Sequence, residues 1–218
     1  MAPPEGGAAQ LGGSADRRVL EEALAWCDGA LVGAETIRRH GTTCLIHGSE
    51  LLADRRRQGR PDQPAALVAS RSGDLSPGLA FWQQPLQRWW LAAAPTHPPT
   101  SAPPAGFDQQ LVIPSWEALR PALAAAGFGR VVLLGGADLV SQLLQADALD
   151  ELQLTLTPRV LGGPHSWCRP EARVDPSRWQ LHEQRCLYDG ELLLRYRRIP
   201  CRPRQTIGDA KSWSLPKG

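Results

Sequence analysis

The sequence predicts an α/β domain with a mixed sheet, and three observations carry that prediction. Short apolar runs of strand type alternate with helix-type stretches along most of the chain. Between Val131 and Gly163 a strand, a glycine pair, a helix and a second strand follow one another as a βαβ unit. Late in the chain Asp189-Gly190 separates two strand-like runs, Trp179–Leu187 and Glu191–Arg198, which is a hairpin pattern.

The elements follow in order. Residues 1–13 are rich in Ala, Pro and Gly and read as a flexible N-terminus. Ser14 is the expected N-cap, with Asp16 in the first turn of a helix to about Cys27. Val19, Leu20, Ala23, Leu24 and Trp26 give that helix its apolar side, and Asp28-Gly29 ends it. Residues 30–32 are a short buried strand, and Glu35–Arg39 starts the next helix. Glu50–Pro64 carries Arg55, Arg56, Arg57 and Arg60, a run read as a solvated face or loop.

Residues 65–70 form the next strand, with a turn at Arg71-Ser72-Gly73-Asp74. Residues 88–93 and 110–113 are further strands, separated by a proline-rich loop over 94–106. Ser115 opens a helix to about Ala126, ended by Gly127-x-Gly129. Val131–Leu134 is a strand. Ala137–Gln145 is a helix with Leu139, Val140, Leu143 and Leu144 on its buried face, and Leu152–Thr157 is an alternating strand stopped by Pro158. The folded domain is therefore expected over 14–199, with a disordered tail over 200–218.

Composition excludes several classes. The chain has 218 residues, 42% of them apolar, so one sizeable core can form. The formal net charge is only +2, and no aromatics lie among the arginines of 55–60, so a nucleic-acid surface is not expected. No run approaches the ~18 apolar residues of a membrane span. No basic segment followed by an apolar one opens the chain, so a cytoplasmic location is expected. The five cysteines are scattered, with no C-x-x-C pair, and the five histidines do not cluster, so neither a disulfide framework nor a metal site is expected.

Gly135-Gly136 falls where a helix begins. Glycine there lets backbone approach a ligand, and the free amides of the first turn favour an anion. A phosphate-bearing cofactor fits that site, and a plain tight turn is the competing reading. Thr36 and Arg71 are open in the same way, as ligand donors or as packing and surface residues.

Two ordered blocks resemble the RibD C-terminal family. The first is Ser14, Asp16 and Arg17 ahead of an Ala/Leu helix, then Asp28-Gly29-Ala30-Leu31-Val32-Gly33-Ala34-Glu35-Thr36. The second is Gly135, Gly136, Ala137 and Leu139, then Leu149-Asp150-Glu151-Leu152, Pro158, Leu161, Gly162 and Gly163. The resemblance implies a dihydrofolate-reductase-like fold: a mixed, mainly parallel sheet flanked by helices, with a C-terminal hairpin. It also implies a homodimer, which the open edges of the 152–157 strand and the hairpin favour.

The activity implied is NADPH-dependent reduction of a ribosylaminopyrimidine phosphate in riboflavin biosynthesis, with hydride delivered to C1 of the ribosyl group. The cofactor carries that chemistry and the protein orients it. The implied NADPH contacts are Gly33, Ala34, Thr36, Ser70, Arg71, Gly135, Gly136, Ala137 and Leu139. The implied substrate contacts are Arg39, Pro158, Leu161, Gly162 and Gly163. The catalytic group stays unassigned.

Three departures bear on activity. Leu134 stands where the family has Glu before Gly-Gly. Arg38-Arg39-His40-Gly41 replaces an acidic residue followed by proline. Only 13 residues precede Ser14, so the family's first strand and its lysine are expected to be absent, with poor turnover as the result. A divergent or non-catalytic NADP-binding homologue is the alternative reading.

Overall fold

Consecutive residues of the central strands are apolar, which suits strands buried on both faces. In β1 (Gly29–Gly33) Leu31 points to one core cluster and Val32 to another. In β2 (Ala65–Ala69) Leu67 and Val68 divide in the same way. The structure, a computed structural model, describes residues 12–93, 102–160 and 166–199.

Three further strands, β3 (Arg88–Ala93), β4 (Gln109–Ile113) and β5 (Val131–Leu133), complete a parallel sheet in the order β4-β3-β2-β1-β5. The register is set across the centre, with Leu31 opposite Leu67 and Leu133. One face is covered by α2 (Ala34–His40) and by Leu75, Phe81 and Phe107. The other is covered by α4 (Leu119–Ala125) and α5 (Ala137–Gln145) through Leu119, Leu123, Leu139 and Leu143.

The antiparallel part is a second sheet, with β6 (Glu151–Leu156), β7 (Trp179–Cys186) and β8 (Leu192–Arg198) in the order β6-β8-β7. The β7–β8 hairpin turns at Asp189-Gly190, where both residues have positive φ, 62° and 75°. Among the described residues, β4 and β5 are the outer strands of the parallel sheet, and β6 and β7 those of the antiparallel one. The mixed sheet expected from the pattern is thus divided into a parallel and an antiparallel part.

Four local expectations change. The first helix, α1 (Ser14–Trp26), is not capped by Ser14: the N-cap is Gly13, and no side chain of its own caps it. The carboxylate of Glu191, only 3% exposed, accepts from Gly13 N at 2.6 Å and Asp16 N at 3.1 Å. Within the arginine run Arg56 and Arg57 are exposed on a helix face, as a solvated run should be, but Arg55 is not. These three residues end α3 (Ser49–Arg57), and Arg55 is 2% exposed. Its guanidinium donates to the carbonyls of Leu24 (3.3 Å), Ala25 (3.0 Å), Cys27 (2.8 Å) and Pro61 (2.7 Å). The last carbonyls of α1 have no partner within the helix, and Arg55 supplies donors to them. Trp26, expected on the apolar side of α1, is half exposed with Arg130 stacked on it. The helix expected from Ser115 begins as a 3-10 turn at Trp116–Ala118 before α4.

Candidate functional site

The strand order reverses at β1, with β2 on one side and β5 on the other. In open parallel sheets the crevice at the carboxyl ends of such strands is where ligands bind. Three chain segments leave the sheet there. Gly33 passes into α2, Leu134 passes through the glycine pair into α5, and Ser70 follows β2.

The glycine pair is conformationally required. Gly135 and Gly136 have φ of 87° and 92°, a region that costs L-residues with a side chain about 1–2 kcal/mol or more. No side chain caps the first turn of α5. A Cβ on Gly136 would sit 3.5 Å from Thr36 Oγ1, and one on Gly33 would sit 3.9 Å from the same atom. Thr36 and Gly136 are therefore neighbours across the crevice, as the sequence blocks implied. A Cβ on Gly135 would meet nothing within 4 Å.

Not every marked residue faces that space. Ala34 is 5% exposed and belongs to the core beneath α2. Leu139 is 7% exposed and packs with Leu31 and Leu143, supporting the turn from below. Ala137 starts α5, and its carbonyl accepts from Ser141 Oγ at 2.7 Å.

The loop after β2 is held from several sides. Ser70 N donates to Leu91 O (3.0 Å), and Ser70 Oγ accepts from Gly73 N (3.1 Å). Trp90 Nε1 donates to Ser70 O at 2.9 Å. Arg38 on α2 donates to Asp74 O at 2.7 Å. Arg71 projects from this loop exposed, and it makes no ion pair among the described residues. Two inter-strand spacings, roughly 10 Å, separate the β2 and β5 ends.

The implied substrate residues are not gathered in this way. Arg39 is exposed in the last turn of α2, at the opposite end from Thr36. Pro158 lies beside the hairpin turn, 3.6 Å from where a Cβ on Gly190 would stand. Leu161, Gly162 and Gly163 lie outside the described residues. Leu134 packs against two core clusters, so no carboxylate stands before the glycine pair.

Two polar contacts escape sequence reading. Only two residues link α1 to β1, so α1 returns along the sheet and its N-terminal end, with Glu191, lies at the carboxyl edge. Asp138, in the first turn of α5, pairs with Arg169 of the loop before β7. That pairing holds the Asp138 carboxyl below the usual carboxylate range. Neither contact has a local signal, because its partner is 31 or more residues away.

Other cavities are elsewhere. One of about 180 Å³ is lined by Trp26, Arg55, Arg60 and Arg130, and one of about 290 Å³ by Asp28, Gln63, Ala65 and Phe128. Asp28 and Ala65 mark the amino ends of β1 and β2, the edge opposite the glycine turns. Among the described residues no group of three or more His, Cys, Asp or Glu could hold a metal ion. No helix among them is long and apolar enough to cross a membrane.

A mainly parallel sheet with a glycine turn at its switch point, followed by an antiparallel C-terminal sheet, defines a dihydrofolate-reductase-like domain. The chain matches the RibD C-terminal domain family over residues 1–190 and belongs to that family. The family is that of the riboflavin-pathway reductase domain. A pyrimidine reductase-like protein from Corynebacterium diphtheriae shares the fold, with TM-score 0.70 and 21% identity over 90% of this chain and 86% of that one. A diaminohydroxyphosphoribosylaminopyrimidine deaminase/5-amino-6-(5-phosphoribosylamino)uracil reductase from Thermotoga maritima gives TM-score 0.69 and 18% identity, covering 91% of this chain and 52% of that one. Acinetobacter baumannii RibD gives TM-score 0.68 and 20% identity, covering 87% and 52%. The chain thus spans about half the length of the Thermotoga and Acinetobacter proteins. No curated protein matches it.

Proposed function

We propose that this chain is an NADPH-dependent reductase of a ribosylaminopyrimidine phosphate, working at the crevice between the ends of β1 and β5. The observation that carries the reading is the open glycine turn, Gly135-Gly136, facing Thr36. The open space above Gly135, where a Cβ would meet nothing within 4 Å, and the nearness of Thr36 to Gly136 support a pyrophosphate seated there. The amides that open α5 would hold the pyrophosphate, and the Thr36 hydroxyl would donate beside them. Arg71, with a planar fork suited to phosphate, would take the 2′-phosphate that distinguishes NADPH from NADH. When bound, the nicotinamide would supply a hydride to C1 of the open-chain imine of the sugar, becoming oxidised, while the imine nitrogen takes up a proton. The protein's part is orientation and water exclusion, and the group that passes the proton is unassigned.

A second reading is favoured by Leu134. With an apolar, packed side chain before the glycine pair, the chain would bind the dinucleotide without acting on this substrate. One experiment separates the two. NADPH affinity is measured by fluorescence titration, and NADPH oxidation is followed with the ribosylaminopyrimidine phosphate. Binding with turnover supports the reductase, and binding without turnover supports the second reading. Absence of binding overturns both.

The reading includes a homodimer. Register places Leu152, Leu154 and Leu156 opposite Tyr196, Leu194 and Leu192, which makes one apolar face of the antiparallel sheet. Leu156 is 51% exposed on it, and apolar sheet faces of this kind mark protein contacts. Sedimentation showing only monomer at micromolar concentration would exclude the dimer.

A further inference from the structure

The cradle proposed above carries an internal contradiction. Asp138 is the second residue of α5, two positions after Gly136. A carboxylate there is favourable for an empty helix end. It is unfavourable for a pyrophosphate arriving at the same amides, because like charges repel.

The loop preceding β7 supplies the answer. Its residue Arg169 is tied to α5 twice, by independent groups. The backbone N–H of Arg169 donates to Ser141 Oγ at 2.8 Å, and Ser141 is only 4% exposed. The guanidinium pairs with the Asp138 carboxylate. The Ser141 bond fixes where the backbone of residue 169 runs, and the side chain then reaches the first turn of the helix. The two side chains are 58% and 64% exposed, so the pair adds little to stability. Its consequence is for the charge at the mouth of the cradle.

We infer that Arg169 is a positioning residue for anion binding: it neutralises Asp138, so that a dinucleotide pyrophosphate meets the α5 amides without a facing negative charge. The inference rests on the dinucleotide reading of the site. Arg169 need not touch the ligand. It acts through Asp138, and its loss would leave a bare carboxylate beside the bound phosphates.

The test is a double-mutant cycle read by NADPH fluorescence titration, without substrate. Arg169→Ala should weaken NADPH about three- to tenfold, the size of one unscreened repulsion at the protein surface. Asp138→Asn in the Arg169→Ala background should restore the affinity to within about twofold of the parent. Arg169→Lys, which keeps the charge, should also stay within about twofold. The Arg169→Ala loss should shrink when salt is raised to ~1 M, where the screening length is ~3 Å. Thermal melting of the apo variants checks that all remain folded.

If Arg169→Ala binds as tightly as the parent, the inference is wrong. If Asp138→Asn brings no recovery, Arg169 acts through the ligand or the loop, and the inference is again wrong. Should the parent bind no NADPH, the dinucleotide reading fails. The same four proteins are then titrated with inorganic pyrophosphate by calorimetry. The same order of affinities keeps the charge-cancelling role, and no binding by any of them overturns it.

Discussion

Valine at position 136 should remove NADPH binding and leave the fold in place. Gly136 has φ of 92° and ψ of 108°, outside the regions open to a β-branched residue, so strain alone costs at least ~1–2 kcal/mol. The new Cβ would stand 3.5 Å from Thr36 Oγ1, an ordinary contact. The two γ-methyls extend about 1.5 Å further, so at least one must crowd Thr36 or fill the cradle. A total near 2–3 kcal/mol lowers Tm by ~4–10 °C in a domain of this size. The protein should still unfold cooperatively, with unchanged far-UV circular dichroism. The same methyls would hold a pyrophosphate off the α5 amides, and NADPH should show no saturable binding up to about 1 mM. Gly136→Ala carries comparable strain without the γ-atoms, so it should bind measurably while melting lower than the parent. If Gly136→Val binds NADPH as the parent does, the glycine pair is only a turn and the cradle lies elsewhere.

Three further expectations follow from named contacts. Arg55→Ala leaves four carbonyls without their donor; at ~3–5 kcal/mol for a buried charged group lost, Tm should fall by ~10 °C or more in scanning calorimetry, and a fall under ~2 °C would show that water replaces the guanidinium. Arg71→Ala should reduce the preference for NADPH over NADH roughly tenfold or more, the worth of one charge-assisted contact, and an unchanged ratio in paired titrations would remove Arg71 from the 2′-phosphate site. Burial pushes the Cys27 thiol up to about 11; a raised folded-state pKa gives stability that is whole below the unfolded value near 9.0 and declines as pH rises towards 11, by about 2–3 kcal/mol. Urea midpoints should therefore fall more steeply over pH 9.0–11 in the parent than in Cys27→Ala, and equal slopes would show that the thiol ionises freely.

How much of this was legible depended on how local its cause was. The strands and helices were legible because each run of apolar residues must be buried on a face its own period defines, as in β1, β2 and α5. Gly135-Gly136 was legible because positive φ selects glycine. The motif positions did not distinguish ligand contact from support: Ala34 and Leu139 carry the family pattern, yet their side chains lie in the core. The arginines at 55–60 read as one solvated run because a short window sees only their type. What decides Arg55 is the carbonyl end of α1, 28 to 31 residues earlier. Ser14 has the chemistry of an N-cap and loses the role to Glu191, which no window around residue 14 contains. The substrate side was the least legible: Arg39 and Pro158 came from the resemblance alone, and no shared element brings them together.

The Glu191 cap has a bearing on the order in which this chain can mature. The contact from Gly13 spans 178 residues, and closing a loop of that length costs about 4–5 kcal/mol of chain entropy. During synthesis α1 leaves the ribosome well before β8, yet its end group is supplied by a residue at the opening of β8. Until that hairpin forms, the first amides of α1 have only water as partners. Helix α1 should thus acquire its full protection against amide hydrogen exchange late, together with the hairpin, although it is made before it.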